Sequence, residues 1–212
     1  LLKKSPSREL HWTDDEKTML VLYTSGTTGN PKGAMLSHKN IISNALASIE
    51  ALELKPSDRF LLILPMFHIF AWTTNVLLPL HLGALIVVVE SIRPPAPWLK
   101  LMFKHGITCF TAVPQIYAVL AEQAKGFKKW ILRYIFFGRV KLCITGAAPL
   151  SKETMEKFEK NIGLPILEGY GLTETSPDTN VNRPSAHKPG SVGPAVPGAK
   201  IKIVDENEME LL

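Results

Sequence analysis

The chain has 212 residues, 46% apolar and 20% charged, with 24 Lys and Arg against 19 Asp and Glu for a formal charge of +5. That length suffices for one sizeable core, the composition is that of an ordinary globular protein, and basic residues scattered along the chain argue against a nucleic-acid face. Two cysteines, Cys109 and Cys143, each sit in an apolar, strand-like run. They read as small buried hydrophobes in a reducing compartment rather than as a disulfide or metal pair, which predicts a cytoplasmic location.

Residues 1–17 read as linker, and the absence of an initiator Met or a signal peptide suggests a start inside a longer protein. "TMLVLY" predicts a buried strand that runs into a loop of hydroxyls and glycines. "NIISNALASIEAL" puts Ile41, Ala45, Ile49 and Leu52 on one helical face, with Ser37 placed to cap the helix. The pattern then alternates. "RFLLIL" predicts strand, "FAWTTNVLLPLHLG" helix, and the β-branched "ALIVVVE" a central strand. "PPAPWLKLMFKHG" predicts a helix opened by prolines and closed by Gly106, "ITCFTAV" strand, and "PQIYAVLAEQA" helix. "VKLCITG" predicts strand, and "SKETMEKFEKNIG" a helix with Ser151 at its cap and Gly163 at its end.

No formally charged residue occurs between Arg59 and Glu90, but Pro65, His68, Asn75, Pro79 and Gly83 interrupt that stretch. No clean run of the ~20 apolar residues that a bilayer helix needs survives. Residues 125–139, "KGFKKWILRYIFFGR", read as an amphipathic helix with a basic face, a solvated helix in preference to a membrane or partner surface. The proline-rich tail from residue 176 reads as irregular loop, and "AKIKIVDE" as a separate alternating strand. The expected fold is therefore α/β: a mainly parallel sheet covered by helices over residues 18–175, followed by a loop and β-strand region over 176–212. Ligand loops then belong at the carboxyl ends of the strands.

The stretch "YTSGTTGNPKG" carries the strongest chemical signal. Glycines let successive backbone N–H groups converge on one anion, hydroxyls add donors that rotate to suit, and Lys32 supplies a full charge beside the rigid Pro31. A polyphosphate is the natural guest. The stretch nonetheless fails the G-x-x-x-x-G-K-[ST] pattern of P-loop NTPases. Counted from Gly26, Pro31 stands where glycine is required and Gly33 where Ser or Thr is required.

"YTSGTTGNPKG" resembles the signature of the adenylate-forming superfamily, which includes acyl- and aryl-CoA synthetases, luciferases and the adenylation domains of peptide synthetases. "PMFH" at 65–68, "GAAPL" at 146–150, "YGLTETSP" at 170–177 and "KPGSVGPAVPG" at 188–198 resemble the family's later motifs, in order. The resemblance is strongest to bacterial long-chain fatty acyl-CoA synthetases and covers part of their large N-terminal domain. It implies a ligase: a carboxylic acid attacks the α-phosphate of ATP to give acyl-AMP and pyrophosphate, and the thiol of coenzyme A then displaces AMP. A carboxylate is already an ionised nucleophile at neutral pH, so this chemistry needs charge stabilisation more than a base.

The same resemblance implies an ATP site of Thr24, Ser25, Gly26, Thr27, Thr28, Gly29 and Lys32 at the phosphates. Gly146, Ala147, Ala148, Glu168, Gly169, Tyr170 and Gly171 would surround the adenine, and Thr173 would touch the α-phosphate. Glu174 would hold Mg²⁺, with Thr24 as a second contact, an arrangement suited to a cation that keeps most of its waters. Catalytic roles fall to Lys32, His68, Thr173 and Glu174, with His68 positioning the acyl carboxylate rather than acting as a base. An acyl tunnel would be lined by His68, Trp72, Val113 and Pro114, and peripheral membrane association follows only if the acid is fatty.

Three features depart from the family. Nothing resembles its ribose-binding aspartate motif, its hinge or its small C-terminal domain. The segment between Gln115 and Gly146 is short, and Asp178 stands where an apolar residue is common. Other readings stay open: an aryl-acid or amino-acid adenylating enzyme, or a non-catalytic nucleotide-binding module. The acid and the oligomeric state, a homodimer included, are not fixed by the sequence.

Overall fold

The computed structural model describes residues 14–24 and 30–211. Its main sheet has six strands: β3 (Arg59–Leu62), β4 (Leu85–Val88), β5 (Cys109–Thr111), β6 (Leu142–Thr145), β7 (Ile166–Gly171) and β8 (Asp178–Val181). Their spatial order is β4-β3-β5-β6-β7-β8; all neighbouring pairs are parallel except β7 with β8. Two further strands, β1 (Thr18–Thr24) and β2 (Lys32–Ser37), form a separate antiparallel hairpin.

Among the described residues, seven α-helices connect these strands: α1 (His38–Ala51), α2 (Ile69–Trp72), α3 (Leu78–Leu82), α4 (Pro95–His105), α5 (Pro114–Gln123), α6 (Gly126–Trp130) and α7 (Lys152–Ile162). A wide π-type turn joins α2 to α3 over Thr73–Leu77, and another extends α6 over Ile131–Phe136. The helix ends follow local chemistry. Ser37 accepts from the Asn40 N–H while the Asn40 side chain accepts from the Ser37 N–H, a reciprocal cap. Ser151 caps α7, whereas Gly106 and Gly163 end α4 and α7 in the left-handed conformation.

The core lies between the sheet and its helices. Phe110 on β5 is its centre, with Trp98 stacked at 5.8 Å and Tyr117 and Phe137 edge-on at 5.6 and 5.3 Å between ring centroids. The Tyr117 hydroxyl donates to the carbonyls of Phe110 and Ile144, tying α5 to two adjacent strands. Cys109 and Cys143 are free and buried on neighbouring strands; burial pushes the Cys109 thiol up to about 12 and the Cys143 thiol higher still.

Four expectations are corrected. β1 is a half-exposed hairpin arm rather than a buried strand. Leu20 and Leu22 face a small cluster of Leu36, Ile41 and Ile69, while Val21 and Tyr23 face outward. "ALIVVVE" forms an edge strand rather than a central one, because β4 pairs only with β3 among the described residues and leaves Leu85 and Val88 exposed. The loop expected after residue 176 contains β8, held antiparallel to β7 by the pairs Gly169↔Val181 and Tyr170↔Asn180. "AKIKIVDE" joins no ladder: Val204 makes one isolated bridge to Glu210, and Ile201 and Ile203 are exposed. Among the described residues, no helix is long and apolar enough to cross a membrane.

Candidate active site

The carboxyl ends of β6 and β7 open into a cleft of about 290 Å³, with Thr24, His68, Phe70, Gly146, Ala147, Tyr170, Thr173 and Glu174 in its wall. Its position follows from the sheet: Thr145↔Glu168 is the last registered pair of β6 and β7, so the chain diverges on both sides directly afterwards. One wall is Gly146–Ala147, where Ala147 takes the left-handed conformation at φ 67°. A Cβ on Gly146 would approach the Phe70 ring to 3.1 Å, so any side chain there would need the ring to shift by a few tenths of an ångström. The other wall is Gly169–Tyr170–Gly171, with the Tyr170 ring 52% exposed and so free to stack on a flat ligand.

Gly171 has a steric role as well. A Cβ there would stand 1.9 Å from the Pro177 carbonyl oxygen, so only glycine lets the turn Thr173–Thr175 fold back onto β7. That turn presents Thr173 and Glu174. The Thr24 hydroxyl donates to Oε1 of Glu174 at 3.2 Å across 150 positions of sequence. Thr24 is paired in register with Lys32 across the hairpin, so Lys32 stands beside the same corner. The two hard oxygen donors of Thr24 and Glu174 fit a divalent cation held mainly by water and phosphate, and no cluster of three or more His, Cys, Asp or Glu occurs among the described residues to cage one.

His68 caps α2 and lines the cleft. Its Nδ1 accepts from the Phe70 N–H at 3.2 Å, so the neutral ring carries its proton on Nε2. Nε2–H is then a donor for a carboxylate or phosphoryl oxygen. A base at Nδ1 would first have to give up the helix cap.

The expected residues do not all meet at one place. Ser25, Gly26, Thr27, Thr28 and Gly29 lie outside the described residues. Ala148 and the Glu168 side chain are set back from the cleft, where Oε1 of Glu168 accepts from the Leu150 N–H and holds the 146–150 loop. Trp72 packs against the Leu36, Ile41 and Ile69 cluster, with its indole N–H buried and unpartnered. Val113 lines a different, apolar cavity of about 600 Å³ with Trp98, Ile116, Val119 and Leu120, while Pro114 is buried at the start of α5. His68, Trp72 and Val113 thus face three different surroundings rather than one tunnel.

Sequence reasoning missed the residues that hold the turn. Asn44 of α1 donates to the Asp178 carbonyl at 2.7 Å and accepts from the Asp178 N–H at 3.1 Å, and Ser48 donates to Oδ2 of Asp178 at 2.7 Å. The available signal was Asn44 and Ser48 one turn apart, with Ser48 fully buried on the apolar side of α1. Asp178 lines both the cleft and an adjoining polar cavity of about 440 Å³, and burial raises its carboxyl above the usual carboxylate range.

Comparison with known proteins gives the family and the fold. The AMP-binding enzyme family model matches residues 2–212. The chain is 30% identical over 211 residues to the mitochondrial malonate–CoA ligase of Mus musculus, covering 96% of the chain and 36% of that protein. It is 35% identical over 202 residues to a long-chain-fatty-acid–CoA ligase of Bacillus subtilis, covering 93% of the chain and 35% of the relative. The ATP-bound structure of MatB from Rhodopseudomonas palustris superposes with a TM-score of 0.83 at 32% identity, over 94% of this chain and 38% of that one. The chain spans about a third of the length of these curated relatives. With a family match along nearly its whole length and a glycine-walled cleft at the sheet's carboxyl edge, the chain belongs to the AMP-binding enzymes.

Proposed function

We propose that the protein containing this chain activates a carboxylic acid with ATP and transfers it to coenzyme A. In the first step a carboxylate oxygen bonds to the α-phosphorus and the bond to the bridging oxygen breaks, releasing pyrophosphate. In the second the thiol loses its proton to solvent, its sulfur bonds to the acyl carbon, the acyl–phosphate C–O bond breaks, and AMP leaves. The observation that carries this reading is the convergence of Thr24, Glu174, His68 and the two glycine walls on one cleft.

The roles follow from position. Lys32, beside Thr24, supplies positive charge to the phosphates; Thr173 donates to the phosphoryl group; Tyr170 and Gly146–Ala147 flank the base. Glu174 and Thr24 would hold Mg²⁺, which when bound neutralises phosphate charge. His68 orients the acid through Nε2–H.

We infer a fatty acid as substrate, supported by the 35% identity over 202 residues to a long-chain-fatty-acid–CoA ligase; the apolar cavity beside Val113 is separate from the cleft and carries no part of this reading. Asp178 favours a second reading, an aryl or amino acid carrying a hydrogen-bond donor, because this acidic residue is among those that line the cleft. AMP release from the full-length protein with a panel of carboxylic acids tests both. Turnover of long saturated acids supports the first reading, selective turnover of donor-bearing acids the second, and no AMP release with any acid would refute ligase activity.

A further inference from the structure

The segment expected to be a solvated basic helix is helical over Gly126–Trp130 and Ile131–Phe136, and its exposed side carries aromatic rings as well as cations. Leu132 and Phe137 are buried, while Phe127, Trp130 and Tyr134, at spacings of three and four, stand 76%, 51% and 57% exposed. These rings form a ladder. Phe127 and Trp130 lie nearly parallel with centroids 6.0 Å apart, Trp130 and Tyr134 are 5.8 Å apart, and the Arg133 guanidinium covers the Tyr134 ring at 5.4 Å. Phe103 of α4, also exposed, shares with Tyr134 the wall of a small surface cavity and extends the stripe.

The surrounding charge is mainly positive, with Glu122 paired to Lys125 at 3.3 Å at its edge. Between Glu122 and Glu153 the sequence holds seven basic residues and no acidic one. Of these, Lys125 and Lys128 are exposed and Lys129 and Arg133 half-buried along α6 and its extension, and Arg139 lies exposed beyond the stripe. Rings that meet water along one line with cations beside them match the interfacial region of an anionic bilayer: the rings enter the headgroup boundary and the cations meet lipid phosphates. A nucleic acid fits less well, because its bases need free ring faces, and here the rings stack on one another and on Arg133.

We propose that α6 and its extension, residues 125–136, form a docking surface for an anionic lipid bilayer, with Phe127, Trp130 and Tyr134 as the inserted edge. The surface lies outside the nucleotide cleft and shares no residue with it, so the inference stands whichever acid is activated.

The test is co-sedimentation of the intact chain with vesicles of phosphatidylcholine alone and with phosphatidylglycerol at three to seven. The mixed vesicles are expected to bind the protein, the neutral ones about a hundredfold more weakly, and affinity should fall as salt rises. Phe127→Ser with Trp130→Ser should weaken binding about tenfold or more at unchanged circular dichroism, and Lys128→Gln about fivefold. Trp130→Phe provides a gentler control: it should keep most binding while abolishing the vesicle-induced blue shift in tryptophan emission. Equal binding of the Ser variant, or equal binding to neutral and anionic vesicles, overturns the proposal. So does binding to a single-stranded oligonucleotide but not to vesicles, or a dimer in light scattering that the Ser substitutions dissolve.

Discussion

Replacing Glu174 by Gln in the full-length protein separates chemistry from folding at the centre of the proposed site. Glu174 is exposed, and its one side-chain bond, from the Thr24 hydroxyl at 3.2 Å, can be accepted equally by the Gln carbonyl. The stability change should therefore be no more than about 0.5 kcal/mol, the usual scale for a surface substitution. Removing the charge acts on a different quantity. A carboxylate that orders the cation on the phosphates contributes in the transition state, and loss of one such preorganised electrostatic partner costs roughly 3–4 kcal/mol, or about 10²–10³-fold in rate. Pyrophosphate exchange with saturating acid measures that step, and the Mg²⁺ concentration for half-maximal rate should rise in parallel. Exchange within threefold of the parent, at an unchanged Mg²⁺ requirement, would refute the role of Glu174. A matching loss of thermal stability would convert it into a structural residue.

Four further outcomes are expected. Lys32→Ala should lower pyrophosphate exchange by a similar order while leaving the melting temperature unchanged, since Lys32 is exposed at the start of β2; wild-type exchange would remove it from the phosphate site. Asp178→Asn should stabilise the fold, with a defined pH profile. Burial raises the folded-state pKa, so the folded chain binds the extra proton and stability is lost as pH rises from about 3.8 through that higher value. The variant and parent should then coincide in urea unfolding at lower pH and separate above it, and coincidence at pH 7 would contradict the assignment. Tyr117→Phe should cost roughly 1–3 kcal/mol in the same assay, because it removes the hydroxyl donor from the buried Phe110 carbonyl, while the Ile144 carbonyl keeps the Ala112 N–H. Cys109, its thiol pushed up to about 12, should alkylate at pH 8 roughly a thousandfold more slowly than a free thiol until the chain unfolds.

Much of this molecule was legible before any coordinates. Caps and stops are local events, so Ser37, Ser151, Gly106 and Gly163 announced their helix ends correctly. Alternation of apolar strands and amphipathic helices implied the parallel sheet, since each βα unit must bury one face of its helix on the strands. The motif residues identified the family because the geometry of a phosphate site constrains residue type at each position, whatever surrounds it.

Partnership across long sequence distances could be read only from the tertiary structure. β-branched composition made "ALIVVVE" a strand but could not show that only β3 pairs with it, because an edge and a centre differ in neighbours rather than in residues. Nothing local links Thr24 to Glu174 or Ser48 to Asp178, yet these pairs, 150 and 130 positions apart, build the corner of the cleft. The acyl-side residues diverged for the same reason: His68 and Trp72 are one helical turn apart, but the turn directs one to the cleft and the other to the hairpin cluster. The sequence by itself determined most of the helices and strands up to residue 175 and the family motifs, but neither β8 nor the lack of a ladder at "AKIKIVDE". Only the packed structure decided which side chains share a wall, because that depends on how the sheet orders its strands and where its turns fold back.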